Sequence, residues 1–153
     1  MSSIAVRRAQ RADVAELVRL LAADALGRAR ERPTDPLPQS YFDAFDAIER
    51  DPNQELIVVT LDGQVVGMLQ LTFTPQLTHA GSWRCTIEGV RVTAAQRGAG
   101  VGQQMLRWAI ARARERQCRI VQLTSDKSRA DAIRFYQRLG FRATHEGMKL
   151  SLD

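Results

Sequence analysis

Residues 96–103 read Gln-Arg-Gly-Ala-Gly-Val-Gly-Gln, with a strand-like run before them and a helix-like run after. Glycine weakens both kinds of element, so glycines at 98, 100 and 102 serve something other than local stability. A loop that enters a helix N-terminus presents unpaired N–H groups and the positive end of the helix dipole, which together make an anion site. Two side chains nearby in sequence carry further chemistry. Glu88 interrupts the apolar run Cys-Thr-Ile-Glu-Gly-Val-Arg-Val. A carboxylate among apolar neighbours is expected to titrate above its usual range and to accept a proton near neutral pH. Tyr136 lies on the stripe Ala132, Phe135, Tyr136, Leu139, whose i, i+3, i+4, i+7 spacing faces a core. A phenol is a poor base and a usable proton donor.

Spacing separates the motifs that could use such a loop. A P-loop requires GxxxxGK[ST], and no Lys-Ser or Lys-Thr pair follows here. A dinucleotide fingerprint requires GxGxxG, whereas these glycines read GxGxG with Gln103 next. The strands before the loop also look like a hairpin meander rather than the opening of a parallel sheet. His145-Glu146 is not HExxH, because residue 149 is Lys.

The elements that must hold these residues follow from periodicity. Ile4–Arg8 reads as a short strand. Asp13 opens a helix, with Glu16 completing a capping box, and Val14, Leu17, Val18, Leu21 and Ala25 form its apolar face. Prolines break residues 30–40, and a second helix covers Tyr41–Arg50. Two β-branched runs flank Asp62-Gly63, a type I′ hairpin signal. Residues 74–81 form a loop and 82–92 a third strand of the meander. A helix follows from about Gly100 to Arg116, then a strand at Cys-Arg-Ile-Val-Gln-Leu, then a helix from Ser128 to Leu139 capped by Gly140. Residues 141–152 suit two final strands around Glu146-Gly147. The predicted order is β-α-α-β-β-β-α-β-α-β-β, a mixed α/β domain over residues 1–153.

Composition agrees with a globular domain: 44% of residues are hydrophobic and 25% charged in a chain of 153. No apolar run approaches the roughly 20 residues of a membrane helix, and the N-terminus lacks a secretory pattern. A cytoplasmic, membrane-free protein is expected. Cys85 and Cys118 form no CxxC and adjoin no paired histidines, so reduced thiols and no metal are expected. The net charge of +5 comes mostly from arginine, clustered at Arg107, Arg112, Arg114, Arg116 and Arg119. Such a cluster attracts anions or forms a solvated helix face. It lies beside no groove-reading helix motif and few aromatics, which argues against a nucleic-acid partner.

The motif Arg97-x-x-Gly100-x-Gly102 resembles the Q/R-x-x-G-x-G/A signature of the GCN5-related N-acetyltransferase (GNAT) family. Val90-Arg91-Val92 stands before it at the family's distance. Ala132-Ile-Arg-Phe135-Tyr136-Gln-Arg-Leu-Gly140-Phe141 resembles the family's A-x-x-F-Y-x-x-x-G-F block. The likeness runs through nearly the whole chain, strand order included, and implies the GNAT-like acyl-CoA N-acyltransferase fold.

What the resemblance implies is an enzyme that moves acetyl from acetyl-CoA to a primary amine by direct attack in a ternary complex. Backbone N–H groups of Gly98, Ala99, Gly100, Val101, Gly102 and Gln103 would hold the diphosphate, with Arg97 adding charge. The strand at Val90, Arg91 and Val92 would pair with the pantetheine arm. Glu88 would accept the amine's proton, directly or through water, and Tyr136 would face the thioester sulfur. Relatives often carry an asparagine near the start of the last helix; here Arg129 precedes Ala132 by three residues, and Ser125, Ser128 or Arg129 would take its place. The acceptor pocket would draw on residues 30–42 and 74–84, with Asp35, Tyr41, His79 and Trp83 as candidates. Similar folds often pair as homodimers, though the sequence marks no interface. The alternative is a non-catalytic acyl-CoA-binding or regulatory module, in which Glu88 and Tyr136 only pack.

Overall fold

The Asp62-Gly63 turn sets the register of the sheet. Both residues have positive φ, 51° and 79°, the backbone of a type I′ turn. They join β2, Gln54–Leu61, to β3, Gln64–Pro75. The computed structural model describes residues 4–153. Its sheet has the order β1-β2-β3-β4-β5, where β1 is Ala5–Arg8, β4 is Trp83–Val92 and β5 is Cys118–Leu123. Pairing is antiparallel from β1 to β4 and parallel between β4 and β5. A parallel neighbour needs a crossover. After the single turn α4, Thr78–Gly81, the helix α5, Val101–Glu115, provides it.

Helices cover both faces. On one, α5 packs Val101, Met105, Leu106, Ala109 and Ala113 against Leu69, Leu71, Phe73, Cys85 and Ile87. On the other, Leu17 and Leu20 of α1, Val14–Leu21, meet Val58 and Met68. Beyond α2, Ala25–Arg30, the helix α3, Gln39–Arg50, brings Phe45 against Val14 and Val18. The capping box forms one turn earlier than expected. Gln10 N–H donates to Asp13 at 2.7 Å, and Arg7 grips the same carboxylate at 2.7 and 2.8 Å. Asp13 is therefore engaged away from α1, and Glu16 makes no box with it.

Two of the clustered arginines turn inward. Arg112 Nη2 donates to Glu55 at 2.6 Å and its Nε at 3.0 Å, while Arg116 Nη1 reaches the same carboxylate at 3.4 Å. The Arg116 guanidinium also lies 4.0 Å over the Phe73 ring. Glu55 is buried, and this cluster ties α5 to β2.

The last helix, α6, is Ala130–Arg138. It ends in a Schellman turn: Gly140 has φ 101°, its N–H donates to Gln137 and that of Phe141 to Tyr136. The two strands expected around Glu146-Gly147 do not form; residues 141–153 carry no strand. A strand exists only where its backbone pairs with an edge, and residues 141–153 make no such pairing. Among the described residues, β5 pairs only with β4.

Candidate active site

A bulge in β4 shapes the site. Glu88 sits opposite Gln70 and Arg91 opposite Met68, so Gly89 and Val90 together face Leu69. Gly89 has φ 62°, a conformation that favours glycine. The extra residue puts Glu88 and Arg91 on the face of α1, while Val90 and Val92 pack toward α5. On its other edge β4 pairs with β5 only as far as Ile87–Leu123. From Glu88 to Val92 that edge has no strand partner among the described residues, although the Val90 carbonyl accepts from Arg91 Nη1 at 2.9 Å, and an unpaired edge can take an extended ligand as an added strand.

The glycine loop lies at the end of this open edge. A 3₁₀ turn at Ala94–Gln96 leads into it, and Gly98 and Gly100 have φ 80° and 85°. Gly100 is the N-cap of α5, and Gln104 is the first residue to bond back to it, at 3.1 Å. The N–H groups of Val101, Gly102 and Gln103 therefore have no intrahelical acceptor. A Cβ at Gly102 would lie 3.4 Å from the Phe135 ring and 3.7 Å from Val92. Bareness here keeps a depression of about 500 Å³ open, lined by Gln96, Arg97, Gly98, Gly100, Gln103 and Arg138 among others. Its amides, glycines and two arginines fit a diphosphate.

Tyr136 stands on α6, half-buried against the α5-side core. Its ring meets Phe135 edge-on at 5.3 Å and Phe141 at 6.0 Å. Burial raises its pKa above the usual phenol value, and the charges of Arg91 and Arg129 offset only part of that. The phenol stays protonated through neutral pH.

Arg91 and Arg129 meet at Asp24, which follows α1. Arg129 Nη2 lies 2.8 Å and Arg91 Nε 3.5 Å from the same carboxylate oxygen. Asp24 also caps α2 through Gly27 N–H at 2.6 Å. Burial raises the Asp24 pKa, but the Gly27 bond and the two arginines outweigh it and hold the carboxyl below its ordinary range. The Arg91 side chain is only 13% exposed. One carboxylate thus faces two guanidiniums beside Tyr136.

The remaining sequence candidates are scattered. The apolar surroundings expected for Glu88 are absent, because β4 turns that residue to solvent on the α1 face. Ser128 bonds Asp126 through its hydroxyl and its N–H, at 2.6 and 2.9 Å. Neither Ser128 nor Arg129 lines the glycine-loop depression. The Tyr41 hydroxyl accepts from Arg32 N–H and donates to Glu31, pinning the proline-rich segment. Asp35 is exposed in that segment. His79 and Ala80 have φ 52° and 60°, so α4 is a left-handed turn with His79 exposed on it. Trp83 packs into the α5-side core, across the sheet from Glu88. Cys85 is buried, which pushes its thiol up to about 12 and removes it as a nucleophile.

Sequence reasoning missed Asp24 and Arg138 as site residues, and it read Phe135 only as part of a core-facing stripe, whereas that ring also lines the glycine-loop depression. The run Asp24-Ala-Leu-Gly27 is an N-cap pattern that marks the first. Arg138 and Phe135 are three apart on one helix face, the signal that would have joined them.

Residues 19–141 match the acetyltransferase (GNAT) family, and the chain belongs to it. It is an N-acetyltransferase by class. An aminoalkylphosphonate N-acetyltransferase of Salmonella typhimurium is 36% identical over 107 residues, 70% of this chain and 69% of that one. A crystal structure of a protein from Bacillus halodurans C-125, described as a transcriptional regulator, is 54% identical, with a TM-score of 0.95 over 98% of this chain and all of that one. A Clostridium acetobutylicum protein described as a predicted acetyltransferase, solved with acetyl-CoA, shares the fold at a TM-score of 0.74 and 20% identity, covering 98% of this chain and 97% of that one.

Proposed function

We propose that the chain transfers acetyl from acetyl-CoA to a primary amine that carries an anionic group, by direct attack in a ternary complex. The observation that carries this reading is continuity. Unpaired amides at the start of α5 and the open β4 edge from Glu88 to Val92 form one track that could hold a diphosphate and its extended arm. When bound, acetyl-CoA supplies an activated thioester carbonyl.

The chain's own groups would do the rest. Amides of Val101, Gly102 and Gln103, with Arg97 and Arg138, hold phosphate oxygens. The Val90 N–H on the open edge points hydrogen-bonding capacity at the carbonyl oxygen. Glu88, exposed on the α1 face, takes a proton from the incoming ammonium directly or through water. Tyr136, protonated at neutral pH, gives a proton to the departing sulfur. Arg91 and Arg129, with Arg30 nearby, outnumber Asp24 and Glu31, leaving positive charge for an anionic group on the acceptor. The aminoalkylphosphonate relative fits that charge. Two unbridged thiols fit a reducing compartment such as the cytoplasm.

The test is acetyl-CoA binding by isothermal titration, followed by thiol release with paired amines: an aminoalkylphosphonate and the alkylamine lacking the phosphonate. Saturable binding with turnover favouring the phosphonate supports the reading. Binding without turnover on any amine supports the second reading, a non-catalytic acyl-CoA-binding regulator, which the description of the Bacillus halodurans relative favours.

A further inference from the structure

The two carboxylate oxygens of Asp24 have different partners. Oδ1 accepts from Gly27 N–H at 2.6 Å and caps α2. Oδ2 lies 2.8 Å from Arg129 Nη2 and 3.5 Å from Arg91 Nε. One oxygen is thus shared by two guanidiniums and serves them unequally. Arg91 Nε is buried and makes no hydrogen bond among the described residues. A buried donor without an acceptor is costly, and Asp24 Oδ2 is the carboxylate oxygen that stands against it.

The two arginines do not take their places from Asp24 alone. Arg91 Nη1 donates to the Val90 carbonyl at 2.9 Å. Arg129 is the N-cap residue of α6, and its carbonyl accepts from Ile133 N–H at 3.1 Å. Nor is α2 free to shift. A Cβ at Gly27 would lie 1.8 Å from the Leu21 carbonyl oxygen, so the turn that carries Asp24 is packed tightly on the end of α1. The part left to yield is the Asp24 carboxylate, whose side chain is 23% exposed. An anion that brings a separate oxygen to each guanidinium satisfies both, which the single Oδ2 does not.

We propose that Asp24 is a resident stand-in for the acceptor's anionic group, and that an oxyanion on the acceptor displaces it from Arg91 and Arg129. This inference rests on the reading that the acceptor is anionic. Asp24 is then a specificity-determining residue. A charged acceptor must outcompete it, and an acceptor without an anion leaves it in place. The carboxylate also keeps the two guanidiniums from facing each other uncompensated while the site is empty of acceptor.

The sign of one substitution separates this role from a structural one. Asn caps a helix about as well as Asp, so Asp24→Asn can keep the bond to Gly27 while removing the competing charge. A stand-in that is removed leaves tighter anion binding. A residue that merely orders the arginines leaves weaker binding when it is lost. The probe is ethylphosphonate, an anion with no amine, titrated against the full chain. Asp24→Asn should bind it at least about tenfold more tightly than wild type. Asp24→Ser, which also retains a capping oxygen, should show a gain of the same sign, and circular dichroism checks that both variants fold. Arg129→Gln should weaken binding, which assigns the probe to this cluster rather than to the glycine loop. In steady-state rates, the kcat/KM ratio for aminoethylphosphonate over ethylamine should rise in Asp24→Asn. If wild type binds the probe through Arg129, and Asp24→Asn leaves either the affinity or that ratio unchanged or lower, the stand-in is overturned and the anionic acceptor stands. Binding that Arg129→Gln does not touch, or no binding by any of these chains, overturns the anionic acceptor and the stand-in together.

Discussion

Glu88 and Arg91 lie three residues apart on β4 yet face the same side of the sheet, opposite Gln70 and Met68. Regular alternation would put them on opposite faces. The bulge at Gly89 is the cause, and its φ of 62° is what another side chain resists. Space is not the obstacle, since a Cβ there would approach nothing closer than Leu21 at 3.9 Å. Gly89→Val should therefore cost about 1–3 kcal/mol through backbone strain. It should also lower kcat/KM by misaiming Glu88 or Arg91. Urea unfolding and steady-state rates measure the two effects, and a variant with wild-type values in both would show that the bulge is incidental.

Glu88 itself is the simplest catalytic test. Glu88→Gln keeps the shape and removes the proton acceptor. Loss of a general base typically costs ~10²–10⁴-fold in rate. Acetyl-CoA affinity by titration should stay unchanged, because the proposed cofactor track uses backbone amides with Arg97 and Arg138, and the Glu88 side chain points to the α1 face. A Glu88→Gln enzyme with normal kcat would transfer the base role elsewhere.

Tyr136→Phe probes the other end of the reaction. The aromatic contacts with Phe135 and Phe141 survive the change, so stability should move little. Loss of the donor should lower kcat by roughly 10²-fold, the lower end of general acid effects. Because burial raises the phenol's pKa, the wild-type rate should not fall on Tyr136's account until pH exceeds its usual value of about 10. A pH–rate profile of wild type and variant separates this role from packing.

Gly102 tests the cradle. Its Cβ position lies 3.4 Å from Phe135 and 3.7 Å from Val92, at the limit of ordinary contact, so the two further methyls of Gly102→Val crowd the ring or fill the depression. The expected result is weaker acetyl-CoA binding, with KM for acetyl-CoA raised by about tenfold or more, while thermal unfolding changes modestly. Unaltered affinity would move the diphosphate away from this loop.

The parts of this molecule that use main chain were legible in its sequence. A backbone that must take positive φ or bare its amides writes itself as glycine, as at Gly63, Gly98, Gly100 and Gly140. Gly89 also stood in a strand, where an isolated glycine often marks a bulge, but its effect on which side chains share a face needs the register. The proposed acceptor side was less legible. Asp24, Arg91 and Arg129 come from three separate segments, and no local period connects them. The final strands were predicted from alternation alone, and alternation says that a segment can pair without saying with what. Glu55 was the most hidden, because an arginine-rich helix reads alike whether its charges meet water or a buried carboxylate.

That carboxylate yields a stability prediction with a defined sign. Burial raises the Glu55 pKa, but hydrogen bonds from Arg112 and the charges of Arg112, Arg8 and Arg116 outweigh it and hold the group below its usual 4.5. The folded state therefore binds this proton less readily than the unfolded chain. Its contribution is complete above about pH 4.5 and fades as pH falls through the depressed value. Glu55→Gln removes the charge and leaves Arg112 and Arg116 facing a neutral amide, a loss of about 3 kcal/mol by analogy with broken buried pairs. The difference in unfolding free energy between wild type and variant should be largest at neutral pH and shrink in acid. A difference that stays constant between pH 7 and pH 3 would mean that Glu55 stabilises by shape rather than by charge.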